Sequence, residues 1–352
     1  MARRPTRSQR REFAALIARL EPSLRSAFEA AAVDLRAGID WAALLEALGL
    51  RDIAGAIAAI NLDQAAFYQY ATVKTSAFAE AGALTVTTIT VPGAGTIGVR
   101  FGMTDPGAES WIAREVGRRI TGALIPEQVE LVRETVLAGF QRGDGPLIIA
   151  RDIAGRVVNG VRQGGVLGLD APRAARLSAV TEGMKTAEGV QDLVIKGRDG
   201  KLRVRYKVNR QTEVRILQAY KRGEALSESA QAMSARQYSN ALLKDRADTV
   251  SRSETAQSVM SARREAWVQV MSKKNLPPEA VIKRWIHGGG PKDPRPHHVA
   301  MSGKQVRGID TPFEFSNGAS MQMAHDPNAP VSETALCGCS TDFYLDPAWR
   351  LS

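Results

Sequence analysis

The sequence predicts a mainly α-helical fold with a small C-terminal α+β domain and one β-hairpin near residues 84–102. Three observations carry that prediction. Apolar residues recur at helical spacing through most of the first 270 positions, a Thr/Val/Ile-rich run with a Pro-Gly centre interrupts them once, and Gly, Pro and Asp become denser from residue 273 onward. A chain of 352 residues also exceeds the usual size of one hydrophobic core. Three segments are expected: a helical 1–122 with the hairpin, a helical 123–249 with a basic stretch, and an α+β unit over 250–352.

Residues 12–36 place Phe13, Leu16, Ile17, Leu20, Leu24 and Phe28 three and four apart, which is an amphipathic helix. Asp40 can cap a second helix carrying Trp41, Leu44, Leu45 and Leu48, with Gly49 near its end. From Arg51 to Gly82 an alanine-rich stretch reads as one long helix suited to close packing. "LTVTTITVPGAGTIGVRFGM" then reads as the hairpin, turning at Pro92-Gly93. Gly93, Gly95 and Gly98 match a dinucleotide-loop pattern, but a further β-type run follows where that loop needs a helix, so a Rossmann dinucleotide site is rejected.

Helical signals return after Pro106. Pro126 suits a first helical turn, Asp170 and Pro172 form another helix start, and helix is expected through "PLIIARDIAGRVVNGV" to about residue 184. Residues 224–272 read as two helices, the second burying Val250, Ala256, Val259, Ala262, Trp267 and Val270. "RWIHG", "GKQVRGI" and "PFEFSNG" are short β candidates beyond them.

A formal net charge of +10 points to anionic partners, nucleic acid first among them. The sharpest charge feature is 196–222, where ten Lys/Arg stand against Asp199 and Glu213. Within it, cations alternate with Leu202, Val204, Tyr206 and Val208, so a strand there has one basic and one apolar face. Lys201, Arg203, Arg205, Lys207 and Arg210 are the candidates for phosphate contact; the alternative is a solvated edge strand guarded by its charges. Five arginines among residues 3–11 form a second basic arm, expected to be flexible. No apolar run approaches the length of a membrane span, and the basic N-terminus lacks the apolar stretch of a secretory signal, so a cytosolic product without membrane contact is expected.

All four histidines and both cysteines lie between His287 and Cys339. His298, His325, Cys337 and Cys339 could supply four zinc ligands, although structural zinc sites usually space paired cysteines by two to four residues. The alternative is that these imidazoles bond turn backbone and the thiols pack as small apolar groups. A third reading is catalytic: a histidine near Asp293, Asp326 and Glu254 as base or metal ligand in phosphodiester hydrolysis, or Cys337 as a nucleophile. No H-E-x-x-H, nucleophile elbow or P-loop accompanies them, and an enzyme is not expected.

The order of short motifs is more specific than any one of them. "SRSETAQSVMSARREAW", "KRWIHG", "DPRPHHVAMSGKQV", "FEFSNG", "AHDP" and "ETALCGCS" together resemble the phage Mu F-like minor head proteins of the phage head morphogenesis family. The resemblance rests on Arg252 and Glu254, Lys283 and Trp285, Arg295, His298 and Gly303, Asp326 and Pro327, and Cys337 with Cys339. It covers roughly residues 250–342. Leu336 and Gly338 stand where the family's closing motif usually has asparagine and arginine. The resemblance implies a virion component of the head interior, made in the host cytoplasm, that touches portal and major capsid or scaffold protein, works oligomerically or on a ring, and contacts double-stranded DNA without sequence preference. It also suggests a role for the histidine-rich loop as a polar clasp built from Arg252, Glu254, Trp285, Arg295, His298 and Asp326. Arg295 would grip Glu254, and His298 would bond the "HDP" turn. No cofactor is expected beyond a zinc ion, and a metal-dependent nuclease or processing enzyme is the alternative function.

Overall fold

The computed structural model describes residues 6–91, 95–96, 98–288 and 294–349. It is 63% helical with a few small antiparallel sheets, so the mainly α class with a small α+β part holds.

α1 (Arg7–Ala37) buries Phe13, Leu16, Leu20, Leu24 and Phe28 along one stripe, as their spacing requires. Its start at Arg7 overturns the expected flexible arm for residues 7–11: Arg10 forms an ion pair with buried Asp342 at 2.8 Å, while Arg3 and Arg4 lie outside the described residues. α2 (Trp41–Gly49) begins where Asp40 accepts the Ala43 N–H at 3.0 Å. The single helix expected from Arg51 to Gly82 is broken instead. α3 (Ile53–Ala59) stops, Asn61 takes the left-handed φ of 50° that asparagine tolerates, and Asp63 caps a 3₁₀ turn, Gln64–Phe67. α4 (Tyr68–Thr88) then runs through residues expected in the hairpin. Thr85 and Thr88 return their hydroxyls to the carbonyls of Ala81 and Thr85, and Val86 is buried, so packing overrides the β preference. The hairpin shrinks to β1 (Thr90–Val91) and β2 (Gly95–Thr96); Pro92 and Gly93 lie outside the described residues.

α5 (Pro106–Trp111) leads through wider π-type turns into α6 (Ile125–Arg142), which has Pro126 in its first turn. α7 (Pro146–Ala154) ends early. The expected continuation is a hairpin of β3 (Arg156–Val158) and β4 (Val161–Gln163), turned by Asn159 and Gly160 at φ 51° and 77°. That Asn-Gly pair is the turn signal the helical reading passed over. α8 (Ala171–Gly183) starts at Asp170, and α9 (Ala187–Leu193) enters β5 (Val194–Lys196), paired with β6 (Leu202–Val204). α10 (Arg210–Arg222) follows. The two helices expected over 224–272 are one, α11 (Glu228–Lys273).

Beyond it come β7 (Val281–Ile286), α12 (Pro296–Ala300), β8 (Gln305–Arg307), β9 (Phe313–Glu314), β10 (Ser320–Met321), α13 (Val331–Thr334) and β11 (Ser340–Leu345). β7 is the middle strand of an antiparallel β11-β7-β8 sheet, and β9 pairs with β10. The three anticipated strands are present as β7, β8 and β9; β10 and β11 were not anticipated.

Two compact units result, each assembled from separated stretches where the sequence suggested three contiguous segments. Unit one holds Met1–Ala27, Tyr70–Arg119 and Asp248–Ser352; unit two holds Phe28–Gln69 and Ile120–Ala247. In unit one, Phe13, Phe78, Trp111, Val259, Trp267 and Phe343 belong to the main core, and a smaller core gathers Trp285, Met301, Phe313, Phe315 and Met321. Unit two buries Leu44, Leu48, Ile60, Val132, Ile149 and Ile153. Its glycine-rich loop before α8 is strapped by buried polar groups: Arg36 and Arg246 donate to the carbonyls of Leu167 and Gly168, and Gln128 donates to that of Leu169.

Candidate metal centre and basic surface

Within unit one, four short pieces of chain converge beside the smaller core. β7 carries Lys283 and Trp285 and is followed at once by His287; α12 presents His297 and His298, α13 presents Glu333, and the turn before β11 holds Cys337 and Cys339. Pro296 opens α12 and keeps Arg295 extended before it (φ −62°, ψ 122°). Gly303, at a φ of 87° that favours glycine, donates its N–H to the Trp285 carbonyl at 2.8 Å and ties the exit of α12 to β7. Trp285, fully buried, meets His298, Phe313 and Phe315 edge-on at centroid distances of 5.2, 5.4 and 5.0 Å.

The polar atoms then order themselves. His298 turns Nδ1 toward two sulfurs, Cys337 Sγ at 3.4 Å and Cys339 Sγ at 3.8 Å. His287 Nδ1 lies 3.6 Å from the Cys339 sulfur. On the far side of the ring, His298 Nε2 is 2.9 Å from Glu333 Oε2, an oxygen also reached by His297 Nε2 at 2.7 Å, while Asn317 donates to Glu333 Oε1 at 3.0 Å. A carboxylate accepts only, so the proton of neutral His298 sits on Nε2 and leaves Nδ1 as a lone pair facing the sulfurs. Burial alone raises the Glu333 carboxyl, but hydrogen bonds from His297, Asn317 and His298 outweigh it and hold its pKa below the usual value.

The two thiols are driven apart. A hydrogen bond from Cys339, opposed by burial, pulls Cys337 down to about 3, and Cys339 is pushed up because it donates to that neighbouring thiolate and is buried. Cys339 also offers its backbone N–H to Cys337 Sγ at 3.4 Å.

Several expected placements are corrected. The ligand atoms of His298, Cys337 and Cys339 lie within 4.8 Å of one another, and His325 stands outside that group. It sits in a left-handed turn (φ 58°), buried, with no hydrogen-bond partner for Nδ1 among the described residues, and is lowered in pKa first by burial. Arg295 does not grip Glu254. Its Nε and Nη2 donate to the carbonyls of Ser332 and Ala335 at 2.6 and 2.9 Å, so it clasps the α13 backbone. His298 bonds Glu333 instead of the "HDP" turn, which Asp326 braces from within by accepting from Gln322 N and Asn328 N at 2.6 and 2.9 Å. Arg252 pairs with Glu21 at 3.0 Å. Glu254 belongs to a separate buried cluster on α11: Lys74 is ion-paired to it and also donates to Glu115 O at 2.9 Å and Gln257 Oε1 at 3.2 Å, while Arg119 Nε lies 3.1 Å from Glu254 Oε1. Burial raises the Glu254 carboxyl, but Lys74 and Arg119 more than compensate, and its pKa is lowered. Asp293 lies outside the described residues.

Glu333 and Asn317 were missed by sequence reasoning. The signal was present in "VSETALCGC", where an acid precedes the first cysteine by four residues, but nothing local says that it turns toward α12. Lys74 gave no signal, being one cation in an alanine-rich helix.

Unit two carries the basic surface. β5 and β6 form a hairpin in the register Val194↔Val204, Ile195↔Arg203, Lys196↔Leu202, closed by a turn in which Asp199 accepts from Lys201 N and pairs with Arg203 at 2.7 Å. The regular strand ends at Val204, short of the expected Val208, yet the alternation persists: Arg203, Arg205, Lys207 and Arg210 are exposed, while Val204 is buried and Tyr206 and Val208 are half-buried. Of the ten cations in 196–222, all but half-buried Arg215 are exposed. Arg205 donates to the Asp192 carbonyl, and among the described residues Lys201, Lys207 and Arg210 have no acidic partner within salt-bridge distance. No described helix is long and apolar enough to cross a membrane.

Comparison with known proteins returns nothing to set beside these features: no protein-family model, no curated protein and no solved structure matches the chain.

Proposed function

We propose that this chain is a structural, non-enzymatic minor component of a tailed-bacteriophage head, of the Mu F-like kind. The observation that carries the reading is the convergence of most of the ordered motif residues on one small core. Trp285 fills it, Arg295 and Asp326 brace the turns around it, and His298, Cys337 and Cys339 close one side. Each side chain is spent on holding neighbouring chain, which suits an assembly part. In this reading the protein resides in the head interior, passes through the host cytoplasm during assembly, and engages portal and major capsid or scaffold protein as an oligomer or on a ring. Its exposed cations at Lys201, Arg203, Arg205, Lys207 and Arg210 meet packaged double-stranded DNA through phosphates alone.

The test is binding of the purified chain to unrelated duplexes across a salt series, with plasmid cleavage followed in the same samples. If about five cations touch phosphate, the log-log salt slope is near −4.5 and affinity falls about 500-fold from ~50 to ~200 mM salt. Replacing Lys201 and Lys207 by alanine should reduce the slope by about 0.9 each. A slope near zero removes the DNA contact. Divalent-dependent cutting that disappears in His298→Ala replaces the structural reading with the nuclease. Mass spectrometry of purified particles lacking the protein would remove the virion assignment.

A further inference from the structure

The geometry points to a zinc site in unit one, held by His298 Nδ1, Cys337 Sγ and Cys339 Sγ, which lie within 4.8 Å of one another; we propose that this chain binds one Zn²⁺ there, with His287 Nδ1, outside that trio but 3.6 Å from the Cys339 sulfur, as the fourth ligand in place of His325. The argument rests on distances. Tetrahedral zinc, with Zn–S near 2.3 Å and Zn–N near 2.0–2.1 Å, separates neighbouring ligand atoms by about 3.3–3.8 Å, with sulfur–nitrogen edges near 3.6 Å. The sulfur–nitrogen separations here are 3.4, 3.6 and 3.8 Å. A thiol–imidazole hydrogen bond spans the same distance, so the metal reading rests on three such separations sharing the same two sulfurs.

The surroundings supply a second observation. Glu333 takes the Nε2 proton of His298 at 2.9 Å, the carboxylate–histidine arrangement that fixes a metal-binding tautomer and sharpens the basicity of the opposite nitrogen. Asn317 and His297 in turn hold Glu333. Arg295 holds α13, and so Glu333, through two backbone carbonyls. His297, His298 and Glu333 also form a close trio, but 2.7 and 2.9 Å are hydrogen-bond separations, too short for a tetrahedral edge, which makes that trio the outer support and not a second site.

Such an ion explains how the loop-rich stretch after α11, with five short strands and two helices of five and four residues, keeps one arrangement. The site needs no particular assembly around it and stands apart from the phage-head reading.

The experiment uses the full chain, purified reduced, with metal content measured by elemental mass spectrometry and the site titrated with Co²⁺. One equivalent of zinc is expected, and cobalt should show thiolate-to-metal charge transfer with tetrahedral visible bands. Cys337→Ser or Cys339→Ser should diminish the charge-transfer band. Glu333→Gln, which keeps every ligand, should weaken metal affinity about 10- to 100-fold with the far-UV spectrum unchanged. His287→Ala should alter the cobalt bands, whereas His325→Ala should leave them as they are. A folded, reduced chain that takes up no zinc, or a cobalt complex lacking the thiolate band, overturns the site. Loss of the bands in His325→Ala with retention in His287→Ala overturns the ligand assignment.

Discussion

Lysines meet opposite fates in the two units. In unit one Lys74 and Lys283 have no exposed surface: the first is locked to Glu254, and the second donates to the Gln322 carbonyl at 2.8 Å. In unit two the Lys201 and Lys207 ammonium groups stand in solvent with no acid within salt-bridge distance among the described residues. A desolvated ammonium is tolerable only when its protons are taken by fixed acceptors, so the buried pair reports positions where the fold is over-determined. A solvated ammonium costs almost nothing to keep and remains available for a polyanion. The charge total of +10 conceals this division, because it adds buried structural cations to solvated ones.

The sharpest way to break the contrast is Lys74→Met. Leaving Glu254 buried without its lysine should cost about 3–5 kcal/mol in denaturant unfolding, whereas Lys207→Ala should stay within about 0.5 kcal/mol. Equal effects would mean that burial does not separate the two classes. Next comes Arg295→Ala, which frees the Ser332 and Ala335 carbonyls. A loss of about 1.5–3 kcal/mol is expected, with a lower Tm, and an unchanged melt would reject the clasp.

The smallest effect is a pH slope. Burial first, then the Arg264 guanidinium, pushes the Lys283 ammonium from 10.5 down to about 8. Between those values the unfolded chain keeps a proton that the folded chain has released, so this group makes stability rise with pH, by at most about 1.4 kcal/mol per unit. Below pH 8 both states are protonated and its contribution is flat. Lys283→Met should flatten the rise; identical slopes in the two proteins would show that Lys283 keeps its charge without penalty.

Local patterns were readable wherever one residue type carries the information. Asp40, Asp170 and Pro126 marked helix starts because a capping carboxylate or a missing N–H acts within one turn. The stripe from Phe13 to Phe28 foretold a buried face for the same reason. Reading failed where a distant partner decides. The threonines ending α4 look like strand until helix packing buries Val86, and the 46 residues of α11 look like two helices until neighbours cover them along their length. The Asn159-Gly160 turn was legible and was overlooked.

The candidate site divides in the same way. The amino-acid sequence alone determined that imidazole and thiol groups crowd into the last seventy residues, that cations alternate with apolar residues after Lys201, and that the chain is mostly helix; composition and spacing are properties of the covalent chain. Only the tertiary structure decided that Glu333 orients His298, that His287 lies beside the Cys339 sulfur, and that Glu254 answers to Lys74 instead of Arg295. Those choices depend on which strands pair and which turns close, and a separation of a few ångströms between residues tens of positions apart is written nowhere in their local order.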